Sequence, residues 1–117
     1  MQEDFKNYFD FQDALGRLGG NKNLYIKMIG FFFNGKEFAG LEQAVAENDL
    51  VQAEKFAHAL KGVAGNLAMT AIYEGSAALM QQFRRGENDA AAFAAFRADY
   101  IKTQTLAPAA IEALSRG

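Results

Sequence analysis

Residues 57–68 read AHALKGVAGNLA, and this stretch contains the only histidine of the protein, His58. Two glycines, Gly62 and Gly65, interrupt what is otherwise a strong helical pattern. A glycine inside a helix costs about 1 kcal/mol relative to alanine. Two glycines on the side of the lone histidine therefore indicate that something approaches this side of the helix closely.

The helix around this stretch begins after Asp49, which is a suitable N-cap. At about 100° per residue, the apolar side chains that follow fall on one stripe. This predicted core stripe consists of Leu50, Ala53, Phe56, Ala57, Leu60, Ala64 and Leu67. His58 lies about 140° from the centre of the stripe, so we expect its imidazole to point to solvent. Lys61 and Gly62 follow His58 at i+3 and i+4, Glu54 precedes it by one turn, and we expect Lys61 to be exposed as well.

An exposed histidine is most often an ordinary surface residue, and glycines can serve helix packing alone. The combination with Lys61 and Gly62 favours phosphoryl transfer. A free imidazole has a pKa of about 6.5 and is a nucleophile at pH 7, and a lysine attracts phosphate oxygens as a point charge. Apart from Glu54, the motif offers no general base, so the site is typical of a carrier and not of a self-sufficient catalyst.

The stretch resembles the signature of the histidine-containing phosphotransfer (HPt) domain family, in which a phosphorylatable histidine is followed by Leu-Lys-Gly and then Ala-Gly-Asn-Leu. The similarity covers about residues 10–85 and includes Leu18-Gly19-Gly20-Asn21, Leu24, Tyr25, Phe32, Ile72 and Leu79. The resemblance implies that His58 is the phosphoacceptor, that Lys61 assists the phosphate, and that Gly62, with Gly65 on the same flank, gives steric clearance for the phosphate and a partner.

The resemblance also implies the partners. A sensor histidine kinase or the phospho-Asp of a response-regulator receiver domain would give its phosphoryl group to His58, which would pass it to an Asp of another receiver. The receiver would supply Mg²⁺ and the acidic pocket, since phosphoryl transfer depends on positioning and charge neutralisation. The chain itself is then expected to hold no cofactor and no metal, and to be a phosphorelay carrier and not an enzyme.

The chain departs from the family pattern at Met80, where the family often has Glu or Gln, and at Ala68-Met69, where it often has Gly-Ala. Polar residues that could contact the imidazole or phosphate instead are Glu54, Gln81, Gln82 and Arg84. Met80 is the feature that supports an alternative, a helical module that docks receivers without accepting phosphate. A metal-binding bundle has little support, because it needs several inward His and Glu ligands. Triad hydrolysis has equally little support, because no Ser or Cys nucleophile accompanies this histidine in a recognisable motif.

The composition is consistent with one domain over residues 1–117. The formal net charge is −2 and there is no cysteine, so we expect no nucleic-acid partner and exclude disulfides and thiol chemistry. No apolar run approaches the roughly 20 residues of a membrane span, and residues 1–6 lack the features of a signal peptide. We therefore expect a cytoplasmic monomer without membrane insertion.

Helical spacing throughout, without β-type alternation, predicts an all-α fold. We predict an antiparallel four-helix bundle with short additional N-terminal helices. Residues 1–9 form either a short helix on the bundle or a frayed terminus. The predicted caps and helix ends are Asp10 with Asp13 as a capping box, Gly19-Gly20, Asn21, Thr70, Arg84-Arg85-Gly86 and Asp89. Asn34-Gly35 predicts a break or kink, which leaves open one bent helix or two, and Pro108 predicts a break or kink near Ala107.

Two further features of the predicted helices are a pair of phenylalanines, Phe31 and Phe33, and a run of small residues at 75–78. Phe31 and Phe33 lie off the main stripe of their helix, which is either buried on several sides or carries a docking patch. The small residues at 75–78 should permit close approach to the histidine helix.

Overall fold

The computed structural model describes Phe5 and residues 7–116, and the regular secondary structure of these residues is helical. The helices are α1 (Phe11–Arg17), α2 (Lys22–Asn34), α3 (Glu37–Ala46), α4 (Leu50–Asn66), α5 (Thr70–Arg84) and α6 (Ala90–Arg116). Helix α4 packs against α3 and, most extensively, against α5, while α6 packs against α5 and α2. The all-α prediction is confirmed, and the histidine lies on a helix held between two neighbours.

Four predicted N-caps are confirmed, because each carboxylate or amide accepts a hydrogen bond from a backbone N–H in the first turn of its helix. They are Asp10, Asn21, Asp49 and Asp89. At Asn34-Gly35, where the sequence left open one bent helix or two, the structure has two helices, α2 and α3. These ends were predictable because the capping bond joins residues only three positions apart.

The predicted capping box at Asp10 and Asp13 is wrong. The Asp13 carboxylate accepts from Arg17 at 3.1 Å and does not return to the N-cap. The backbone N–H of Asp10 donates instead to the carbonyl of Ala68 at 2.9 Å. A contact between distant segments has taken the donor that a local box would use, and it ties the start of α1 to the residues that follow α4.

Thr70 is not the N-cap of α5. The helix begins at Thr70 itself, and its N-cap is Met69, which makes no side-chain capping bond. The Thr70 hydroxyl donates to the carbonyl of Asn7 at 2.7 Å. For residues 1–9 the sequence left open a short helix or a frayed terminus, and residues 1–4 and 6 lie outside the described residues. Of the described ones, Phe9 is buried, with 1% of its surface exposed.

Of the break or kink predicted near Pro108, the break does not occur, since α6 is one helix from Ala90 to Arg116. Proline removes one N–H from the helical ladder. Pro108 itself is exposed, whereas Ala107, Ala110 and Leu114 are buried against the core. The packing of this buried side carries the helix through the proline.

The core stripe of α4 is confirmed: Ala53, Ala57, Leu60, Ala64 and Leu67 are at most 1% exposed, and Leu50 and Phe56 are half-buried. The end of α4 is fixed from α2 by the buried Tyr25 hydroxyl, which donates to the carbonyl of Leu67 at 2.9 Å. This stripe and this bond hold α4 with its opposite side outward.

Of the small residues at 75–78, Gly75 permits close approach of α6 and not of α4, because a Cβ there would lie 2.6 Å from the ring of Phe96. Phe31 is 68% exposed, and α2 is therefore not buried around its whole circumference. Phe33 packs edge-on against Tyr100, with 5.4 Å between ring centroids. None of the described helices combines the length and apolar character that crossing a membrane requires.

Candidate functional site

The imidazole of His58 is exposed on α4, as the helical spacing predicts. Its neighbours Ala57 and Leu60 are 0% and 1% exposed, and they anchor the helix on the opposite side. A side chain so placed is accessible to a macromolecular partner without any movement of the core.

A cleft of about 450 Å³ lies beside His58. Its walls come from α1, from the second half of α4 and from the start of α5. The charged and polar side chains that line it include His58, Lys61, Asp13, Arg17, Asn66 and Tyr73. The contribution of α1 to this cleft was not predicted, because Arg17 is remote from the histidine in sequence. The Arg17 guanidinium pairs with Asp13 at 3.1 Å, and both side chains are about half exposed.

Lys61 is half-buried, which corrects the expectation that it is exposed. Its Nζ lies 5.9 Å from the centroid of the Tyr73 ring on α5. A cation within about 6 Å of an aromatic face is attracted by the ring. The lysine thus lies along the α4–α5 contact and lines the same cleft as His58.

The two glycines of the motif have different surroundings. A Cβ on Gly62 would meet no atom within 4 Å, so the surface beside His58 is open there. A Cβ on Gly65 would lie 3.1 Å and 3.2 Å from Cε1 and Cδ1 of Tyr73. The space that Gly65 provides is taken by this ring, in contrast to the clearance for phosphate predicted for it.

Glu54, one turn before His58, is engaged elsewhere. Its carboxylate accepts from Arg84 of α5 at 2.6 Å, and the two side chains are 33% and 49% exposed. An ion pair this exposed contributes at most about 1 kcal/mol. Two of the predicted polar contacts are therefore partners of one another across the α4–α5 boundary.

The adjacent glutamines of α5, Gln81 and Gln82, lie on different sides of the helix. Gln81 is exposed. Gln82 is seven residues from Gly75 and so shares its side of the helix, the side that contacts α6; its buried Oε1 has no hydrogen-bond partner within the described part of the chain. Met80 is 3% exposed and belongs to the apolar core. A polar side chain at this buried position would lose its contact with water.

The buried phenol of Tyr25 lies at the end of α4. Burial raises the pKa of Tyr25 well above its ordinary value, and the carboxylates of Asp10 and Asp13 raise it further. The phenol of Tyr25 is thus a neutral hydrogen-bond donor to the end of α4.

Among the residues described, no group of three or more His, Asp or Glu side chains is arranged to hold a metal ion.

Comparison with known proteins gives one match. The family model of the Hpt domain matches residues 34–116, which covers α3 to α6 and leaves out α1 and nearly all of α2. No curated protein and no solved structure matches the chain significantly. Hpt domains are phosphocarrier modules for histidine phosphotransfer in two-component systems, where they interact with receiver domains and kinases.

Proposed function

Because the chain belongs to the Hpt domain family, we propose that His58 is its phosphoacceptor and carries a phosphoryl group between the Asp of one receiver domain, or a histidine kinase, and the Asp of another receiver. The observation that supports this most is the exposed imidazole at a cleft lined by Lys61, beside the open surface at Gly62. We include in the proposal a single four-helix bundle domain over residues 1–117, a monomer located in the cytoplasm, where it would meet these partners.

The transfer step forms one bond and breaks one bond. The unprotonated nitrogen of the His58 imidazole attacks the phosphorus of the receiver's aspartyl phosphate, and the P–O bond to the aspartate breaks as the N–P bond forms. The carboxylate leaves with the electron pair, and the other imidazole nitrogen keeps its proton. The reverse step donates the phosphoryl group to the next receiver.

Lys61 and Gly62 have separate roles in this step. The ammonium of Lys61 neutralises charge on the phosphoryl oxygens, which is the main contribution a protein makes to phosphoryl transfer. Gly62 leaves the surface bare at i+4 from His58, where a side chain would lie over the imidazole. Gln81 and Arg84 are further candidates for contacts to the phosphate or partner at the rim.

Transfer from a receiver tests the proposal. A receiver domain from the same genome is phosphorylated with labelled phosphate and incubated with the chain. We expect acid-labile label on the wild-type chain and none on His58→Gln. Lys27→Ala, a lysine exposed on α2, is the surface control and should be labelled like the wild type.

The alternative is a module that docks receivers without accepting phosphate, and buried Met80 is the observation that favours it. It would be supported if the wild type and His58→Gln bound the phosphorylated receiver equally and neither acquired label. The same pair of proteins therefore distinguishes the two functions.

A further inference from the structure

We propose that Tyr73 is a positioning residue for Lys61. Its ring, seated on the bare backbone of Gly65, holds the lysine ammonium at the cleft beside His58. This inference rests on the proposed function, because it concerns how Lys61 is presented to the phosphoryl group. It assigns a role to a residue of α5 that neither the motif nor the helical spacing indicated.

The seat of the ring is built by Gly65. The Cε1 and Cδ1 atoms of Tyr73 lie 3.1 Å and 3.2 Å from where a Cβ of residue 65 would be, closer than carbon atoms in ordinary contact. A Cβ at this position would therefore shift the ring by a few tenths of an ångström. The ring remains 41% exposed, so one face stays available to a side chain at the cleft.

Lys61 occupies the remaining space. Residues 61 and 65 are one turn apart on α4, so their side chains lie on the same side of the helix. The Nζ of Lys61 is 5.9 Å from the ring centroid, near the outer limit of attraction to an aromatic face. The lysine is half-buried because, at about 100° per residue, it lies near the edge of the core stripe of α4. The Tyr73 ring of α5 lies beside it there.

The consequence concerns the rate of transfer. A free lysine side chain moves through many conformations, and only some of them place the ammonium against an incoming phosphoryl group. A ring that restricts Lys61 to the cleft orders part of the side chain before the partner arrives. It therefore lowers the entropic cost of placing the ammonium during transfer. The weak attraction lets the ammonium move from the ring to the phosphoryl oxygens as charge develops there.

The experiment compares three variants in single-turnover transfer from a labelled phospho-receiver. Tyr73→Leu removes the ring, Tyr73→Phe keeps it without the hydroxyl, and Gly65→Ala shifts it by a few tenths of an ångström. We expect Tyr73→Leu to slow the transfer step about two- to fivefold, as expected for an exposed cation–π contact, and Gly65→Ala to slow it less, both with unchanged receiver binding. Tyr73→Phe should transfer like the wild type.

A double-mutant cycle separates positioning from a structural role. If Tyr73 acts through Lys61, Tyr73→Leu has no further effect in a Lys61→Ala background. In addition, the ring-current shift of the Lys61 side-chain protons in NMR spectra should be present in the wild type and Tyr73→Phe and absent in Tyr73→Leu. Both measurements depend on the contact itself, and circular dichroism confirms that each variant is folded.

Three results would overturn the inference: transfer by Tyr73→Leu at the wild-type rate, an equal loss with and without Lys61, or a Tyr73→Phe as slow as Tyr73→Leu, which would make the hydroxyl the functional group. In each case the wild type is labelled at His58, so the proposed function stands. If the wild type is not labelled at all, the proposed function fails and this inference fails with it.

Discussion

Replacement of Gly62 by alanine should make the protein more stable. Gly62 lies inside α4, it is exposed, and a Cβ there meets no atom within 4 Å. Alanine gains helix propensity and restricts the unfolded chain, which together amount to about 0.5–1 kcal/mol. For a chain of this length, 1 kcal/mol raises the Tm by roughly 4 °C.

Gly30→Ala is the matched control. Gly30 lies inside α2, and the position of its Cβ is equally open. Both alanine variants should therefore show the same rise in Tm when thermal unfolding is followed by circular dichroism. Of these two glycines, only Gly62 lies beside His58. Changes at Gly62 should therefore affect phosphoryl transfer, and changes at Gly30 should not.

Gly62→Gln tests the reason for the glycine. Side chains at i and i+4 are about 5–6 Å apart at their Cβ atoms, so a glutamine reaches over the His58 imidazole. We expect labelling from a phospho-receiver to slow more than about tenfold, which needs a steric penalty of only about 1.4 kcal/mol. Gly30→Ala should be labelled at the wild-type rate.

Two results would refute this reasoning. If Gly62→Ala melts no higher than the wild type while Gly30→Ala gains stability, the space beside Gly62 is not open. If Gly62→Gln is labelled as fast as the wild type, clearance at this position has no function in transfer.

Further predictions concern the cation of the site and the buried tyrosines. Lys61→Ala should slow transfer about tenfold, the value of one charge-assisted hydrogen bond, without loss of helicity, whereas Lys27→Ala should change neither; a large loss of helicity would contradict the surface position of Lys61. Tyr25→Phe leaves the carbonyl of Leu67 without this donor and should lower the free energy of unfolding in urea by about 1–3 kcal/mol; an unchanged midpoint would show that the bond contributes nothing. Burial, followed by nearby carboxylates, raises the pKa of Tyr100 from 10.0 to about 12. The stability that its neutral phenol contributes is fully present below pH 10, and about 3 kcal/mol is lost as the pH rises through about 12. Tyr100→Phe should lose less stability over that range, and an identical loss would contradict the assignment.

The histidine helix could be predicted from the sequence because its determinants are local. Asp49 caps the backbone N–H of Gln52, and the apolar residues at spacings of three and four decide which side is buried. The exposure of His58 follows from the same spacing, without knowledge of what lies on the other side. The three other confirmed N-caps, Asp10, Asn21 and Asp89, show the same principle at their helix starts.

The errors occur where a distant segment competes for the same group. Thr70 has the side chain of an N-cap, yet its hydroxyl bonds the carbonyl of Asn7. Pro108 is a local signal for a break, but the packing of the surrounding residues maintains the helix. Gly75 indicated a close approach, and the structure has one, but with Phe96 of α6. Which helix arrives at each position depends on tertiary packing, and no local pattern contains that information.

The two glycines of the motif, Gly62 and Gly65, show the same dependence on tertiary packing within the site. Within α4 they are equivalent by sequence, since both interrupt a helix on the outward side near His58. They differ only in what α5 places against them: open space at Gly62, and the Tyr73 ring at Gly65. Gly62 can therefore serve a partner that arrives from outside, whereas Gly65 serves a contact within the molecule. Because that contact ends at the Lys61 ammonium, a residue of α5 can influence chemistry at a histidine on α4 without contacting the phosphoryl group.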